Sequence, residues 1–331
     1  MIFNKPDTDV VKELHNLVGV SYYQNNDFSA IRPHIIDETR TIIRYIGREV
    51  YDVAENHYFD NYDPNWSDDR TEGADHTNDK LVSLVQTAIA LMAVFRYNQA
   101  NIMSHEDTGR KIKIDEKNEK MPWEWMFDRD DAALLRRAFI AIDTLIEFLE
   151  NAEINEWMQS EKRNRCRSLF ISTWAEFEQT YPIDESPRFF YELAPFIREA
   201  QEFSLLNAMT QEKYNDLLDK YMRNTGMNES EKHLLSLIRT YLVLRTIETA
   251  CLRLAVNVFP EGVVQRFFEK NGTRSSKVTP DETRREYART IGRQADQALD
   301  NIKRYIQQIT SDQLLYPIIP KNNSRNKFFI T

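Results

Sequence analysis

The histidines and carboxylates are the first residues of this chain whose types could carry chemistry. None of the six histidines stands in an HExxH or ExxH pattern, the spacings that place zinc or di-iron ligands on one helix face. His105-Glu106 precedes turn-forming residues, and so short a match favours a solvated turn. No Ser-His-Asp or Cys-His arrangement follows from the spacing. The sequence therefore predicts no catalytic residue, no cofactor and no histidine-based metal site.

The segment 60–79, DNYDPNWSDDRTEGADHTND, is acidic enough to attract a cation. Asp60, Asp63, Asn65 and Asp68 could offer oxygen atoms to calcium, but the segment lacks the ligand spacing and central glycine of an EF-hand. We interpret it as a solvated acidic loop without a metal, and contact with a partner protein stays open as its role.

Pro122-Trp123-Glu124-Trp125 is the densest aromatic stretch. Two tryptophans could stack on a sugar or a base, but they more often cover a hairpin end or fill a subunit interface. No basic groove flanks them in the sequence, so we interpret Trp123 and Trp125 as partner-interface residues. The two cysteines, Cys166 and Cys251, are far apart and indicate neither a disulfide nor a zinc site.

The charge of the chain is unevenly distributed. The net charge is −9, but residues 274–327 carry +5 and the residues before them −14. A body this acidic repels nucleic acid, and the basic end favours an acidic protein surface. The longest apolar run, 81–95, is interrupted by polar residues and is too short to span a bilayer, so we expect no membrane contact.

Two stretches, LVSLVQT from Leu81 and LLSLIRT from Leu234, repeat one pattern 153 residues apart. The same register pairs Gly109 with Gly262 and continues to EKN at 116–118 and 269–271. Upstream, FSAIRPHIIDE aligns with FYELAPFIREA, and the register then shifts by one residue. Downstream, AIDTLIEFL answers ALDNIKRYI. A chance match would not extend so far, so the sequence predicts an internal duplication.

The predicted fold is mainly α, with two tandem similar helical modules that each contain a β-hairpin. The first module covers 1–150 with a hairpin at about 102–115, and the second covers 186–309 with a hairpin at about 255–268. A connecting helix joins them over 151–185. The stretch 81–97 is apolar nearly all round and predicts a buried central helix, in which we expect Leu84, like Leu237 in the second copy, to be buried.

The end of the chain, 310–331, predicts an extended arm because Pro317 and Pro320 exclude a helix interior. Its apolar groups need cover, and we expect them to dock on a neighbouring protein, with packing on the body of the same chain as the alternative. The candidate contact residues are Leu314, Leu315, Ile318, Ile319, Phe328 and Phe329.

The stretches FSAIRPHIIDETRTIIRYIGREVYD, IDTLIEFLENAEINEW and SPRFFYELAPFIREAQEF resemble a family from phages and prophages of Bacteroidetes. Its members are described as head–tail connector-like or tail-ring proteins, as in crAss-like phages. The resemblance covers residues 28 to about 309 and rests on packing positions. The acidic loop and the C-terminal arm have no counterpart in it.

The resemblance implies a structural virion protein made in the host cytoplasm. It would form a homo-oligomeric ring, a dodecamer that matches the portal, between the portal protein and neighbouring tail ring proteins. DNA would pass through the channel without tight binding. A cytoplasmic helical adaptor is the alternative, and an enzyme of unrecognised helical fold is the weakest interpretation because no titratable cluster stands out.

Overall fold

The structure is a computed structural model, and it is mainly helical. It describes residues 1–3, 5, 9–19, 27–63, 76–101, 104–106, 109–111, 123–254, 256–259, 262–265 and 281–318. The chain divides into two compact units. Unit 1 comprises the described residues within Met1–Cys166, Ile183–Glu192 and Asn257–Pro280; unit 2 comprises those within Arg167–Pro182, Leu193–Val256 and Asp281–Thr331.

The first half of the chain contains seven of the described helices and one strand pair. They are α1 (Val10–Val18), α2 (Phe28–Ile46), α3 (Arg48–Asp60), α4 (Thr77–Ala100), β1 (Ser104–Glu106), β2 (Gly109–Lys111), α5 (Glu124–Asn151), α6 (Asn155–Met158) and α7 (Glu161–Arg167).

The second half has a similar order of elements. They are α8 (Trp174–Glu178), α9 (Pro187–Glu199), a π-helix (Ala200–Leu205), α10 (Gln211–Met222), α11 (Glu229–Arg253), β3 (Val256–Phe259), β4 (Gly262–Gln265) and α12 (Asp281–Ile318). The order of helix, helix, helix, long helix, strand pair and long helix occurs in both halves.

Helix α4 is the centre of unit 1, and α1, α2, α3 and α5 pack around it. Its side chains are buried over most of its circumference, as the apolar sequence predicts. This helix is long and apolar enough to cross a membrane, yet 67% of its most apolar window is buried inside the protein. Its hydropathy is therefore accounted for by the core.

Helix α11 has the same role in unit 2, where α12 packs along it. Shifted by 153 residues, its burial follows that of α4: Leu234, Leu235 and Ile238 are buried as their α4 counterparts are. The expectation for Leu84 and Leu237 is wrong, because both are only partly buried. Each lies on the one flank of its helix that the neighbouring helices leave half open.

The one-residue slip in the repeat coincides with the π-helix. Phe28 and Phe190 are 162 residues apart, whereas Tyr51 and Tyr214 are 163 apart. Between them unit 2 has the π-helix Ala200–Leu205, while α2 is regular at the equivalent place. A π-turn closes hydrogen bonds from i to i+5 and so accommodates one extra residue without ending the helix. The slip is therefore a single insertion.

Two predicted segments differ from the structure. The connecting helix predicted over 151–185 is instead three short helices, α6, α7 and α8. Side-chain caps begin new helices there: Ser160 Oγ accepts from Arg163 N, and Thr173 Oγ1 accepts from Glu176 N.

The C-terminal arm predicted over 310–331 is wrong in its first part, because α12 continues to Ile318. Leu and Gln are good helix formers, and the φ angle of proline is compatible with a helix. Only one helical residue follows Pro317, so its missing N–H disturbs the last turn alone. Residues 319–331 lie outside the described part.

The strands form two separate pairs in the part of the chain that is described. β1 and β2 are antiparallel, with Ser104 opposite Lys111 and Glu106 opposite Gly109. β3 pairs with β4. The rest of the predicted hairpin ranges, 102–115 and 255–268, lies outside the described residues.

Equivalent positions of the two central helices predict equivalent losses of stability. Ile89→Ala in α4 and Leu242→Ala in α11, both fully buried, should each lower the free energy of unfolding by about 2–5 kcal/mol, because each leaves a cavity. Leu84→Ala and Leu237→Ala should cost clearly less. Urea unfolding followed by circular dichroism measures the four values, and equal losses at all four positions would contradict this account of the core.

Candidate functional site

The start of α5 presents three large apolar side chains to solvent. Trp123 is 71% exposed, Trp125 48% and Met126 41%. We call these three residues the tryptophan edge. Trp123 occupies the N-cap position, with extended backbone angles and no side-chain cap hydrogen bond. An indole has no oxygen to accept from the first-turn N–H groups, so capping does not explain a tryptophan there.

The exposed apolar surface continues along α5. Ile140 is 55% exposed and follows Met126 by fourteen residues, which returns to nearly the same face of the helix about 21 Å further on. The inner face of α5 is buried against the core through residues such as Leu134 and Ile142. The outer face therefore has apolar groups that the described part of unit 1 does not cover.

The predicted contact residues fall into separate places. Trp123 and Trp125 are close together on unit 1. Leu314, Leu315 and Ile318 lie in the last turns of α12, and Ile319, Phe328 and Phe329 lie outside the described residues. The predicted contact residues near the C-terminus thus belong partly to a helix, in contrast to the expectation of an arm.

A cluster at the base of the acidic segment was not predicted. Asp79, in the first turn of α4, is buried between two imidazoles: His57 Nε2 lies 2.8 Å from Oδ1, and His76 Nδ1 lies 3.1 Å from Oδ2. The backbone N–H of Asp63 donates to the same carboxylate. The spacing of His76 and Asp79, three residues apart at a helix start, was the available signal.

The cluster is a set of mutual hydrogen bonds and not a cation cage. The Asp79 carboxylate lies within hydrogen-bond distance of one nitrogen of each imidazole, and the described residues contain no group of three His, Cys, Asp or Glu side chains arranged to hold a metal ion. Most of the acidic segment, 64–75, lies outside the described part of the chain, so the interpretation of a solvated loop stays a prediction.

The two cysteines and His233 were the other residues whose side chains could carry chemistry. Cys166 is buried and Cys251 is half-buried. His233 is exposed and meets the ring of Tyr305 edge-on at 4.8 Å between centroids.

The pKa of Asp79 predicts how the cluster depends on pH. Burial alone would raise the pKa of this carboxyl, but hydrogen bonds from His57, His76 and Asp63 N–H hold it below its usual value. Folding thus favours the charged form. The resulting stability is present above the unfolded-state pKa of about 3.9 and is lost as the pH falls through the lower folded value.

Asp79→Asn should therefore lower the free energy of unfolding by about 1–3 kcal/mol at pH 7, because it removes a buried charged acceptor. The difference between the two proteins should shrink as the pH falls below 4. Urea unfolding at a series of pH values gives both quantities. A difference that stays constant down to pH 3 would mean that the carboxylate charge is not what stabilises the cluster.

Comparison with known proteins identifies the family of the chain. A family of unknown function, DUF6712, matches the chain twice, at residues 49–167 and 204–328. The first match begins with α3, and the second begins within the π-helix just before α10. No curated protein and no solved structure matches the chain. The two matches cover most of the sequence, and the chain belongs to the DUF6712 family.

Proposed function

We propose that this chain is the subunit of a homo-oligomeric ring, a structural head–tail connector of a phage particle. In this role it contacts copies of itself, the portal protein and neighbouring tail ring proteins around the DNA exit channel. The tryptophan edge is the observation that carries the proposal, because tryptophan side chains this exposed are typical of residues that anchor an interface. The resemblance described above supplies the kind of assembly.

The shared organisation of the two units supports the proposal that the chain is a structural subunit. Both are organised around a long buried helix, and the family pattern occurs twice. We infer that the chain arose by tandem duplication of one helical module with a hairpin. A duplicated module gives one chain two related surfaces, which suits a subunit that must contact more than one neighbour.

The negative net charge of the chain supports the proposal that DNA passes through a channel lined by this protein. The residues before Arg274 carry a net charge of −14. A lining of that sign repels the phosphate backbone and keeps duplex DNA from binding tightly. The salt bridges on the described surface, such as Arg40–Asp37 and Arg48–Asp52, are exposed pairs and contribute little to stability.

Removing the tryptophan edge tests the proposal directly. The double variant Trp123→Ser/Trp125→Ser should fold normally, because both side chains are exposed, but should lose the ring by sedimentation velocity and electron microscopy. Phe203→Ser is the matched control, since Phe203 is also 71% exposed and lies on unit 2. A wild-type chain that stays monomeric with portal protein present would favour the adaptor alternative and overturn the proposal.

The last residues of the chain offer an independent test. Deleting 322–331, which removes Phe328 and Phe329, should leave the melting temperature nearly unchanged and abolish assembly into particles. The physical reason is that these apolar groups need a partner surface. Differential scanning calorimetry and particle counts by electron microscopy give the two readouts. Unfolding of the truncated chain would show that these residues belong to its own core, and normal assembly would deny them the role of anchors.

A further inference from the structure

Each unit attaches a segment of chain to its central helix through matching positions. In unit 1 the segment consists of the described residues within 1–18, which include α1, and we call it the N-terminal strap. In unit 2 it is 167–182, which contains α8, and we call it the internal strap. Five residues of unit 1 have a matching residue in unit 2. The pairs, with the residue of unit 1 first, are Ile2/Phe170, Glu13/Glu176, Tyr51/Tyr214, Tyr58/Tyr221 and Gln86/Arg239.

In unit 1 a glutamine of the central helix holds the strap. Gln86 Nε2 donates to Ile2 O at 2.8 Å and to Glu13 Oε1 at 2.6 Å. Tyr58 Oη donates to the other oxygen of Glu13 at 3.2 Å, and Ile2 N donates to Tyr51 Oη at 3.3 Å. One backbone residue and one carboxylate of the strap are thus bound together.

In unit 2 an arginine takes the place of the glutamine. Arg239 Nε donates to Phe170 O at 3.0 Å, and its guanidinium forms an ion pair with Glu176. Tyr221 Oη donates to Glu176 Oε1 at 2.9 Å. Phe170 N donates to Gln201 Oε1 at 2.9 Å. The contacts to the carboxylate and to the backbone carbonyl correspond in the two units, but Gln201 stands between Phe170 N and Tyr214, since its Nε2 donates to Tyr214 Oη at 2.7 Å. The carboxylate of unit 2 also has a cation as its partner.

The equivalence rests on the contacts, because the spacings of the matched residues are similar but not identical. Glu13 and Glu176 are 163 residues apart, Phe28 and Phe190 are 162 apart, and Ile2 and Phe170 are 168 apart. The central helices are 153 residues apart, because the segment 60–79 makes the first copy ten residues longer there. The internal strap thus belongs to unit 2, whereas residues 183–192 belong to unit 1, and the start of the second module at 186 stays a prediction.

The two carboxylates differ in how their charge is compensated. Glu13 accepts its hydrogen bonds from an amide and a phenol, which are neutral. Burial raises the pKa of Glu13, and the hydrogen bonds from Gln86 and Tyr58 offset this only in part. The nearby charged groups have other partners: Lys5 Nζ donates to Tyr58 O at 3.4 Å, and the Met1 ammonium pairs with Glu55. On its own helix, Lys12 is exposed, and Asp9 and His15 are the other titratable groups.

We propose that the attachment of the N-terminal strap to unit 1 depends on pH, because the strap opens more often when Glu13 loses its proton. The internal strap stays attached at neutral pH, because Arg239 pairs with the charged Glu176. The buried residues of the N-terminal strap, among them Ile2, Phe3 and Leu14, keep it bound in both states, so the quantity that changes is the fraction of time it is open. The sign follows from burial: the protonated carboxyl is favoured in the folded state. The stabilisation is therefore present below the ordinary value of 4.5 and is lost as the pH rises through the higher folded pKa.

Hydrogen exchange of the full chain tests the proposal. After correction for the intrinsic exchange rate, the amides of α1 should open more often at pH 7.5 than at pH 5, by about tenfold for each unit by which the pKa is raised. Gln86→Arg, which copies the lock of unit 2, should reduce this pH dependence. Arg239→Gln, the reciprocal variant, should increase the opening of α8 at pH 7.5.

Glu13→Gln keeps the shape of the side chain and removes its titration, so it should also abolish the pH dependence. This variant replaces Gln86→Arg in the test if Gln86→Arg does not fold. The amides of α10, which carries Tyr214 and Tyr221 but lies outside both straps, serve as the internal control for Gln86→Arg. Equal opening of α1 at pH 5 and pH 7.5 in the wild-type chain would overturn the proposal. So would a pH dependence that Glu13→Gln leaves intact, since its cause would then lie elsewhere.

Discussion

The rest of the structure depends on covering a helix that is apolar on nearly all sides. Helix α4 cannot expose any broad face to water without losing about 25 cal/mol for each Å² of apolar surface. Four helices of unit 1 therefore pack around it. Each of those helices can be amphipathic and moderately polar, because the central helix supplies the apolar partner for all of them.

This constraint explains which parts of the chain are similar in the two halves. Most buried positions of α11 coincide with buried positions of α4 after a shift of 153 residues, but the buried Gln86 of α4 corresponds to the half-buried Arg239 of α11. The two copies differ in length at two places. One residue is absorbed by the π-helix Ala200–Leu205, and ten residues lie in the segment 60–79, between two helices.

Much of the fold could be predicted from the sequence, because periodicity reports burial directly. The central helices and the long helices α5 and α12 follow from their apolar patterns. Partial exposure of Leu84 could not be predicted, since it depends on where neighbouring helices leave a gap. The end of α12 could not be predicted from Pro317, because a proline in the last turn of a helix does not interrupt the residues before it. The straps could not be predicted either, because their contacts join residues far apart in sequence.

The candidate sites were harder to predict than the fold, and the reason is physical. Trp123 and Trp125 stand out by composition alone, so their exposure at the start of α5 could be anticipated. By contrast, His57, His76 and Asp79 become a cluster only when α3 and α4 bring them together. In the part of the chain that the structure describes, the polar groups of this cluster and of the two straps form hydrogen bonds that fix one segment to another. Because these hydrogen bonds join separate elements, they form only after the helices have packed, and periodicity reports them far less directly than it reports burial.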